Sequence, residues 1–150
     1  MVEVSVMLKA LSIVGCVGMA AGLITQFAPR NLFSSAPVAI AVQTGAGVLL
    51  LWARVTFGRR SFHVTSNPTE GGLVTSGPYR HIGHPIYTAI CLFSGAGAVA
   101  HWSWKGGLLS GLVLGCALGR IFCEEVMVAA RYPEYRQYAA KTWRMVPYVF

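Results

Sequence analysis

Residues 71–87 read GGLVTSGPYRHIGHPIY and connect two apolar runs of membrane-spanning length. A connection between membrane helices requires little more than polar residues and turn formers. This one also carries histidine, arginine and tyrosine, whose side chains can donate, accept and titrate. At its end His84-Pro85 opens the next apolar run, and proline suits the first turn of a helix because its missing N–H has no helical partner there. We therefore expect the chemistry of the protein to lie where this loop meets that helix.

The composition is that of a membrane protein. Hydrophobic residues make up 55% of the 150 positions, and charged residues make up 11%, against about 25% in soluble domains. The net charge is +7, but the basic residues flank apolar runs, as topology signals do, so nucleic-acid binding is not expected. We predict an all-α integral membrane protein, one domain over residues 1–150, with about four transmembrane helices and a C-terminal interfacial helix.

Four apolar runs are long enough to be predicted as spans, since about 20 residues cross a bilayer. They cover residues 7–28, 34–57, 84–101 and 106–130. The first run is too long for the core of a signal peptide, and we interpret it as a retained helix. Residues 61–83 form the predicted cofactor-site loop. The tail, residues 131–150, is basic and aromatic, and Pro133 is predicted to start a short helix on the membrane surface.

Small residues and cysteines in these runs indicate packing. The first run repeats glycine at three- and four-residue spacing (Gly15, Gly18 and Gly22), which gives a smooth face for close helix contact. The cysteines lie inside apolar segments without CxxC pairing, so neither a disulfide framework nor a metal site is predicted. They are Cys16, Cys91, Cys116 and Cys123.

The distribution of basic residues predicts the orientation. With four spans, the side that holds the termini and the 61–83 loop carries most of the basic residues: Lys9, Arg59, Arg60, Arg80, Arg131, Arg136, Lys141 and Arg144. The opposite side carries Arg30 and Lys105. The positive-inside rule then places both termini and the cofactor site in the cytoplasm.

The fourth run is interrupted by Arg120, Glu124 and Glu125. Each charge within a span costs about 2.5–3.5 kcal/mol on insertion scales. Arg120 and Glu124 share a helix face, which Arg131 continues, but such an i,i+4 pair contributes only about 0.2–0.5 kcal/mol. One interpretation is a salt bridge at the membrane interface. The other is a polar pocket facing the 71–87 loop, and it is favoured because the charges crowd on the loop's own side.

Three blocks of sequence together resemble a known family. LVTSGPYRHIGHPIYTA, RIFCEEVM and YPEYRQYAAK are similar to the C-terminal core of the isoprenylcysteine carboxyl methyltransferase family. Related membrane methyltransferases, including phosphatidylethanolamine N-methyltransferases, carry similar motifs. The resemblance covers about residues 71–147. It implies an all-helical membrane enzyme that binds S-adenosylmethionine without a Rossmann domain.

The resemblance also implies roles for individual residues. Arg120 and Glu124 would be catalytic, with Arg120 acting at the methyl acceptor. Residues assigned to the cofactor are Leu73, Val74, Tyr79, His81, His84, Pro85, Tyr87, Glu124 and Glu125. Residues assigned to the substrate are Arg80, Arg120, Arg131 and Lys141.

Two positions depart from the family pattern. Gly83 stands where an arginine usually precedes His-Pro, and Ala89 replaces a glycine. The loss of the arginine bears on the acceptor more than on the cofactor, and Arg80 is a candidate substitute from three residues upstream.

The residue chemistry suits methyl transfer without choosing the acceptor. Transfer from a sulfonium is an in-line displacement, which needs alignment more than a covalent nucleophile. Carboxylates can hold the ammonium or ribose hydroxyls of the cofactor, and an arginine can hold an acceptor carboxylate by two hydrogen bonds. An amine acceptor instead requires a base, such as His84 or a carboxylate.

We therefore predict an S-adenosylmethionine-dependent membrane methyltransferase, isoprenylcysteine carboxyl O-methyltransferase-like, acting on a lipid-embedded or amphipathic acceptor. Its partners would be the lipid bilayer and that lipid-like acceptor, with the oligomeric state left open. One alternative is a phospholipid or other small-molecule N- or S-methyltransferase. Another is an NADPH-dependent membrane enzyme like the sterol reductases. The last is a non-enzymatic four-helix protein whose buried charges only fix helix register.

Overall fold

The computed structural model describes residues 2–27, 32–58 and 72–150, with side chains described from Val6 onward. Predictions for Arg30, Arg59, Arg60 and residues 61–71 therefore lie outside the described residues. The described chain folds into five α-helices and one short 3-10 helix, Gly77–Arg80. The α-helices are α1 (Val2–Phe27), α2 (Pro37–Phe57), α3 (Pro85–Ala100), α4 (Trp104–Arg131) and α5 (Tyr135–Ala139). The prediction of an all-α membrane protein is confirmed.

Three helices are long and apolar enough to cross a membrane: Val6–Phe27 within α1, then α2 and α4. The remaining apolar helix, α3, has 16 residues, or about 24 Å at 1.5 Å per residue, which is shorter than the roughly 30 Å hydrocarbon core. Immediately before α3 lie the 3-10 helix and the polar loop that were expected to carry the chemistry.

Local sequence explains where the helices begin. Pro37 and Pro85 occupy the first positions of α2 and α3, where no N–H is required. Ser103 caps α4, because its side-chain oxygen accepts a hydrogen bond from the Gly106 N–H, as N-cap serines do.

The helices pack in the spatial order α1, α4, α3, α2. Helix α4 thus lies between α1 and α3, and it carries the most buried side chains, including Val113, Ala117 and Ile121. Large apolar side chains such as Val14, Val38 and Leu108 are exposed on the outer faces. Exposed apolar side chains are expected on helices whose outer faces contact lipid. The central position of α4 allows this helix to carry a buried site.

The glycine face of α1 packs directly against α4. A Cβ built at Gly18 would lie 2.6 Å from the Cys116 sulfur, and one at Gly22 would lie 2.8 Å from a methyl carbon of Val113. Both distances are below van der Waals contact, so the two backbones approach as closely as they do because these positions lack a side chain. The predicted role of the glycines in close helix contact agrees with this packing.

Gly22→Ala is expected to lower the free energy of unfolding by about 1–3 kcal/mol, the usual cost of overpacking a filled core. Val113 is fully buried and β-branched, so it cannot turn away from the added methyl. Unfolding of the purified protein by detergent titration measures the change. Gly47→Ala on α2, where no atom lies within 4 Å of the new Cβ, is the matched control. Equal stability of the two variants would contradict the close-packed interface.

A buried polar cluster fixes the helices relative to each other. The Gln26 amide of α1 donates to Ser94 of α3 at 2.8 Å and to Ser110 of α4 at 3.1 Å. The two serine hydroxyls are 2.9 Å apart. On the neighbouring pair, Gln43 of α2 donates to the Phe93 carbonyl of α3 at 3.2 Å. Each of these four polar side chains is thus paired within the bundle, and the pairs set the register of the helices.

The C-terminal tail is fastened to the start of α3 by backbone hydrogen bonds. The Gly83 N–H donates to the Trp143 carbonyl at 2.6 Å, and the Trp143 N–H donates to the His81 carbonyl at 3.0 Å. The His84 N–H donates to the Arg144 carbonyl at 2.9 Å. The tail therefore lies against the His84-Pro85 junction, and it brings its own side chains to that end of the bundle.

Candidate functional site

The site is built where α3 begins. His84 is the N-cap residue of α3, but its side chain makes no capping hydrogen bond. The ring instead stacks on Tyr87, with ring centroids 5.9 Å apart and planes inclined by 28°. The Nε2 atom of His84 is buried and has no hydrogen-bond partner among the described residues. Helix capping therefore does not account for this histidine.

Tyr87, Arg120 and Glu124 form the centre of the cluster. The Tyr87 hydroxyl donates to Oε1 of Glu124 at 2.5 Å and accepts a hydrogen bond from Nε of Arg120 at 2.8 Å. Nη2 of Arg120 lies 3.2 Å from the same carboxylate oxygen. The predicted shared face of Arg120 and Glu124 is thus present, and a tyrosine from the neighbouring helix closes the triangle.

Arg120 also binds α1. Its Nη1 atom donates to the Ser12 carbonyl at 2.8 Å, and the residue is only 5% exposed. Each of its three nitrogens therefore donates to a protein acceptor. The guanidinium also lies over the Tyr87 ring, 5.7 Å from its centroid. Arg120 links three helices and holds both Tyr87 and Glu124 in place.

A second carboxylate lies beside the first. Arg144, from the tail, donates from Nε to both oxygens of Glu125, at 2.8 Å and 3.1 Å. His84 lies between the two acids, with Nδ1 at 3.7 Å from Glu124 Oε2 and Nε2 at 3.5 Å from Glu125 Oε1. The hydrogen bond with Glu125 raises the pKa of the Arg144 guanidinium. Each carboxylate is therefore paired with one arginine, and a histidine touches both.

Tyr79 forms the side of the site nearest α2. It is buried in the 3-10 helix, and its ring lies 5.3 Å from that of Phe57. Burial, and then the neighbouring Tyr138 and Glu124, raise the pKa of Tyr79. Tyr138 of α5 donates to the Tyr79 carbonyl at 2.7 Å, and burial raises the pKa of Tyr138 to about 12. Both phenols therefore keep their protons at neutral pH.

The length of α4 locates the cluster relative to the membrane. Between Trp104 and Glu124 helix α4 rises about 30 Å, which matches the thickness of the hydrocarbon core. If Trp104 lies at one interface, as membrane tryptophans do, Glu124 and Glu125 lie at the other. Water-soluble and lipid-embedded molecules can both reach that depth.

The structure assembles only part of the predicted set. His84, Pro85, Tyr87, Arg120, Glu124 and Glu125 come together, with Tyr79 beside them. Leu73 and Val74 are half-buried in the segment before the 3-10 helix, and the side chains of His81, Arg80, Arg131 and Lys141 are exposed. Arg131 lies over the Tyr132 ring, 5.9 Å from its centroid, and Arg80 and Lys141 line a separate cleft. The roles predicted for these residues stay predictions.

Sequence reasoning missed Arg144 as a partner of Glu125. The tail brings it beside Gly83, since a Cβ built at Gly83 would lie 4.0 Å from the Arg144 Cα. The arginine nearest the departure at Gly83 is thus Arg144, whereas Arg80 points to the separate cleft. The only hint in the sequence was that the tail is rich in basic residues, which does not distinguish Arg144 from Arg131 or Arg136.

An all-helical membrane protein with two arginine-paired carboxylates at one end of its bundle is the class that the fold and the site define. Residues 35–135 of this chain match the family model for phospholipid methyltransferases. The match covers more than half of the chain, so the protein belongs to this family, which is related to the isoprenylcysteine methyltransferases. It is accordingly a membrane methyltransferase. The narrower resemblance to the isoprenylcysteine enzymes stays a prediction.

No curated protein and no solved structure gives a significant match to the chain.

Proposed function

We propose that this methyltransferase uses S-adenosylmethionine and methylates a lipid-embedded or amphipathic acceptor at the membrane surface. The observation that carries the proposal is the pairing of Glu124 and Glu125 around His84 at the start of α3. All three residues lie within the family match. Membership of the family favours methyl transfer over the sterol-reductase-like and non-enzymatic alternatives.

The residues present suit the cofactor. Two carboxylates at the end of the bundle can accept hydrogen bonds from an ammonium group or ribose hydroxyls, and their charge favours a cation. The buried Nε2 atom of His84 makes no hydrogen bond among the described residues, and its neighbour Glu125 Oε1 lies at 3.5 Å, so a bound molecule can form a hydrogen bond with this nitrogen. When bound, the cofactor supplies an electrophilic methyl group on a sulfonium. We propose that Glu124, Glu125, His84, Tyr87, Pro85 and Tyr79 line its site, with Leu73, Val74 and His81 nearby.

The protein contributes alignment and a base. Arg120 keeps Tyr87 and Glu124 in one arrangement through hydrogen bonds to both, and fixed groups are what an in-line displacement requires. For an amine acceptor we propose that His84 takes the proton, because an imidazole can act as a general base.

The acceptor class is the finer part of the proposal. A carboxylate acceptor, as in the isoprenylcysteine enzymes, would need a guanidinium fork. Every nitrogen of Arg120 already donates to a protein acceptor, which favours a positioning role for this arginine. An amine on a phospholipid headgroup requires no such fork. An amine acceptor is therefore supported at least as well as a carboxylate acceptor. Direct contact of the acceptor with Arg120, Arg80, Arg131 or Lys141 stays a prediction.

We also propose which side of the membrane the cofactor site faces. Arg136, Lys141 and Arg144 follow α4 on the site's end, whereas Lys105 lies at the other end. The positive-inside rule places the richer end in the cytoplasm, where S-adenosylmethionine is made. The protein would then be a multi-pass membrane protein with both termini and the cofactor site in the cytoplasm.

Calorimetric titration of S-adenosylhomocysteine into the detergent-purified protein tests the proposal, with NADPH as the control ligand. Saturable binding of S-adenosylhomocysteine alone is the expected result. Binding of NADPH alone would overturn the proposal in favour of a reductase. Silence of a folded protein toward both ligands would favour a non-enzymatic role.

His84→Ala is expected to weaken S-adenosylhomocysteine binding about tenfold, which corresponds to about 1.4 kcal/mol and is typical of one lost hydrogen bond. The same calorimetric titration measures it. His101→Ala removes an imidazole at the opposite end of the bundle, where its ring contacts the Phe33 carbonyl, and it should leave the affinity unchanged. Parental affinity in His84→Ala would remove this histidine from the cofactor site.

A further inference from the structure

A second polar site lies beside the tail. An open cleft of about 310 Å³ is lined by Thr75, Arg80, Gln137, Tyr138, Lys141 and Thr142. Its volume is at the lower end of the range for small-molecule pockets, and it is large enough for a phosphate headgroup. None of its lining residues belongs to the cluster of His84, Tyr87, Arg120, Glu124 and Glu125.

The chemistry of the cleft is that of an anion site. Two cationic side chains, Arg80 and Lys141, face it from two segments that are distant in sequence. Neutral donors accompany them, namely the Thr75 hydroxyl and the Gln137 amide. Among the residues that the structure describes, no carboxylate lines the cleft. Both cations are exposed, and the ion pairs found in the described parts of the chain involve neither of them.

The cleft lies at the level of the membrane surface. Arg80 ends the 3-10 helix, which packs on the last turns of α2 through Tyr79 and Phe57. Lys141 follows α5, which comes just after the end of the long helix α4. Both elements therefore stand where the spanning helices end, the depth at which lipid phosphates lie. Exposed Trp143 and Tyr148 nearby are of the kind that anchors a tail in that layer.

We propose that this cleft binds the phosphate group of an anionic membrane lipid, and that it is distinct from the cluster assigned to methyl transfer. A phosphodiester offers several acceptor oxygens, which match a guanidinium, an ammonium and two neutral donors. A lipid supplies this group at the depth of the cleft, and its acyl chains can extend along the exposed apolar faces of the bundle. The chemistry also suits free phosphate, so the test must separate these two sources.

The position of the cleft gives a bound lipid an effect on the neighbouring site. Tyr138 forms part of the cleft wall, and its hydroxyl holds the Tyr79 carbonyl at 2.7 Å. Tyr79 in turn borders the carboxylate cluster. A lipid that bridges Arg80 and Lys141 would hold the 3-10 helix and the tail together, and would thereby steady one side of the methyl-transfer site.

Native mass spectrometry of the intact protein with added phosphatidylglycerol tests the assignment. The wild type is expected to retain one lipid more tightly than the rest. The double variant Arg80→Gln/Lys141→Gln should bind that lipid roughly thirtyfold more weakly, from the loss of two interfacial charges. Arg136→Gln, which removes an exposed charge from α5 outside the cleft, is the matched control and should bind as the wild type does.

The outcomes distinguish the alternatives. Equal lipid affinity in the double variant and in Arg136→Gln would overturn the site. Displacement of the tight lipid by millimolar inorganic phosphate would overturn its assignment to a lipid and indicate a site for soluble phosphate. Circular dichroism and the unfolding midpoint of each variant verify the fold. The lipid measurement does not depend on S-adenosylhomocysteine, so the methyltransferase proposal can fail while the cleft stands, and the reverse.

Discussion

Glu124→Gln is expected to weaken S-adenosylhomocysteine binding about a hundredfold, and this is the largest loss of affinity that we expect from any single substitution. The carboxylate is the point where the Tyr87 hydroxyl and the Arg120 guanidinium meet. Neutralising it removes the negative charge that would attract the cofactor's cationic end. Hydrogen bonds to charged groups contribute about 1.5–3 kcal/mol, and the upper value corresponds to about a hundredfold in affinity. Calorimetric titration of the purified variant measures the loss.

The control is Glu134→Gln. Glu134 precedes α5 and is exposed, so this variant makes the same change of charge outside the cluster. It should bind S-adenosylhomocysteine as the parent does. If Glu124→Gln also kept parental affinity while retaining its fold, the cofactor site would have to be sought elsewhere, and the cluster would be reduced to a structural ion pair.

The sequence alone predicts the helical framework well, because apolar runs of membrane length leave the backbone few alternatives. It also predicts the core of the cluster. Arg120 and Glu124 are four residues apart on one helix, so the helical repeat alone places them on one face. Pro85 marks the start of α3 for a local reason, since its ring fits the first turn.

The remainder of the site depends on contacts between distant segments. Arg144 reaches Glu125 because backbone hydrogen bonds fasten Trp143 between His81 and Gly83, and such pairing leaves no periodic signal in the tail. The Ser12 carbonyl binds Arg120 because glycines let α1 approach α4 closely. A main-chain acceptor has no sequence signature at all.

Periodicity alone does not bring Arg131 into the cluster. Arg131 was expected to continue the face of Arg120 and Glu124. In the structure Arg131 is the last residue of α4, and it is exposed. Its exposed side chain lies over Tyr132 instead. Shared direction on a helix brings residues into one site only where a second element is present to enclose them.

Arg120→Met is expected to lower the free energy of unfolding by about 3 kcal/mol, the lower end of the cost of leaving a buried charge without its partner. The substitution keeps most of the apolar volume of the side chain. It removes hydrogen bonds to the Ser12 carbonyl, the Tyr87 hydroxyl and Glu124, and these join α1, α3 and α4. Detergent-titration unfolding measures the loss, with Arg136→Met as an exposed control that should change stability by less than about 0.5 kcal/mol.

A double-mutant cycle separates the ion pair from the rest of this loss. If the stability loss in Arg120→Met arises chiefly because Glu124 is left unpaired, the free energy of unfolding of Arg120→Met/Glu124→Gln should exceed the value expected from the sum of the two single variants. The expected excess is about 1–2 kcal/mol, within the range for residues in direct contact. Strict additivity would show that Arg120 stabilises the bundle through Ser12, Tyr87 and packing, without a contribution from Glu124. Recovery of stability without recovery of S-adenosylhomocysteine binding is the combination we expect. The double variant can regain stability because removing both charges leaves neither of them buried without its partner. The cofactor requires the carboxylate itself.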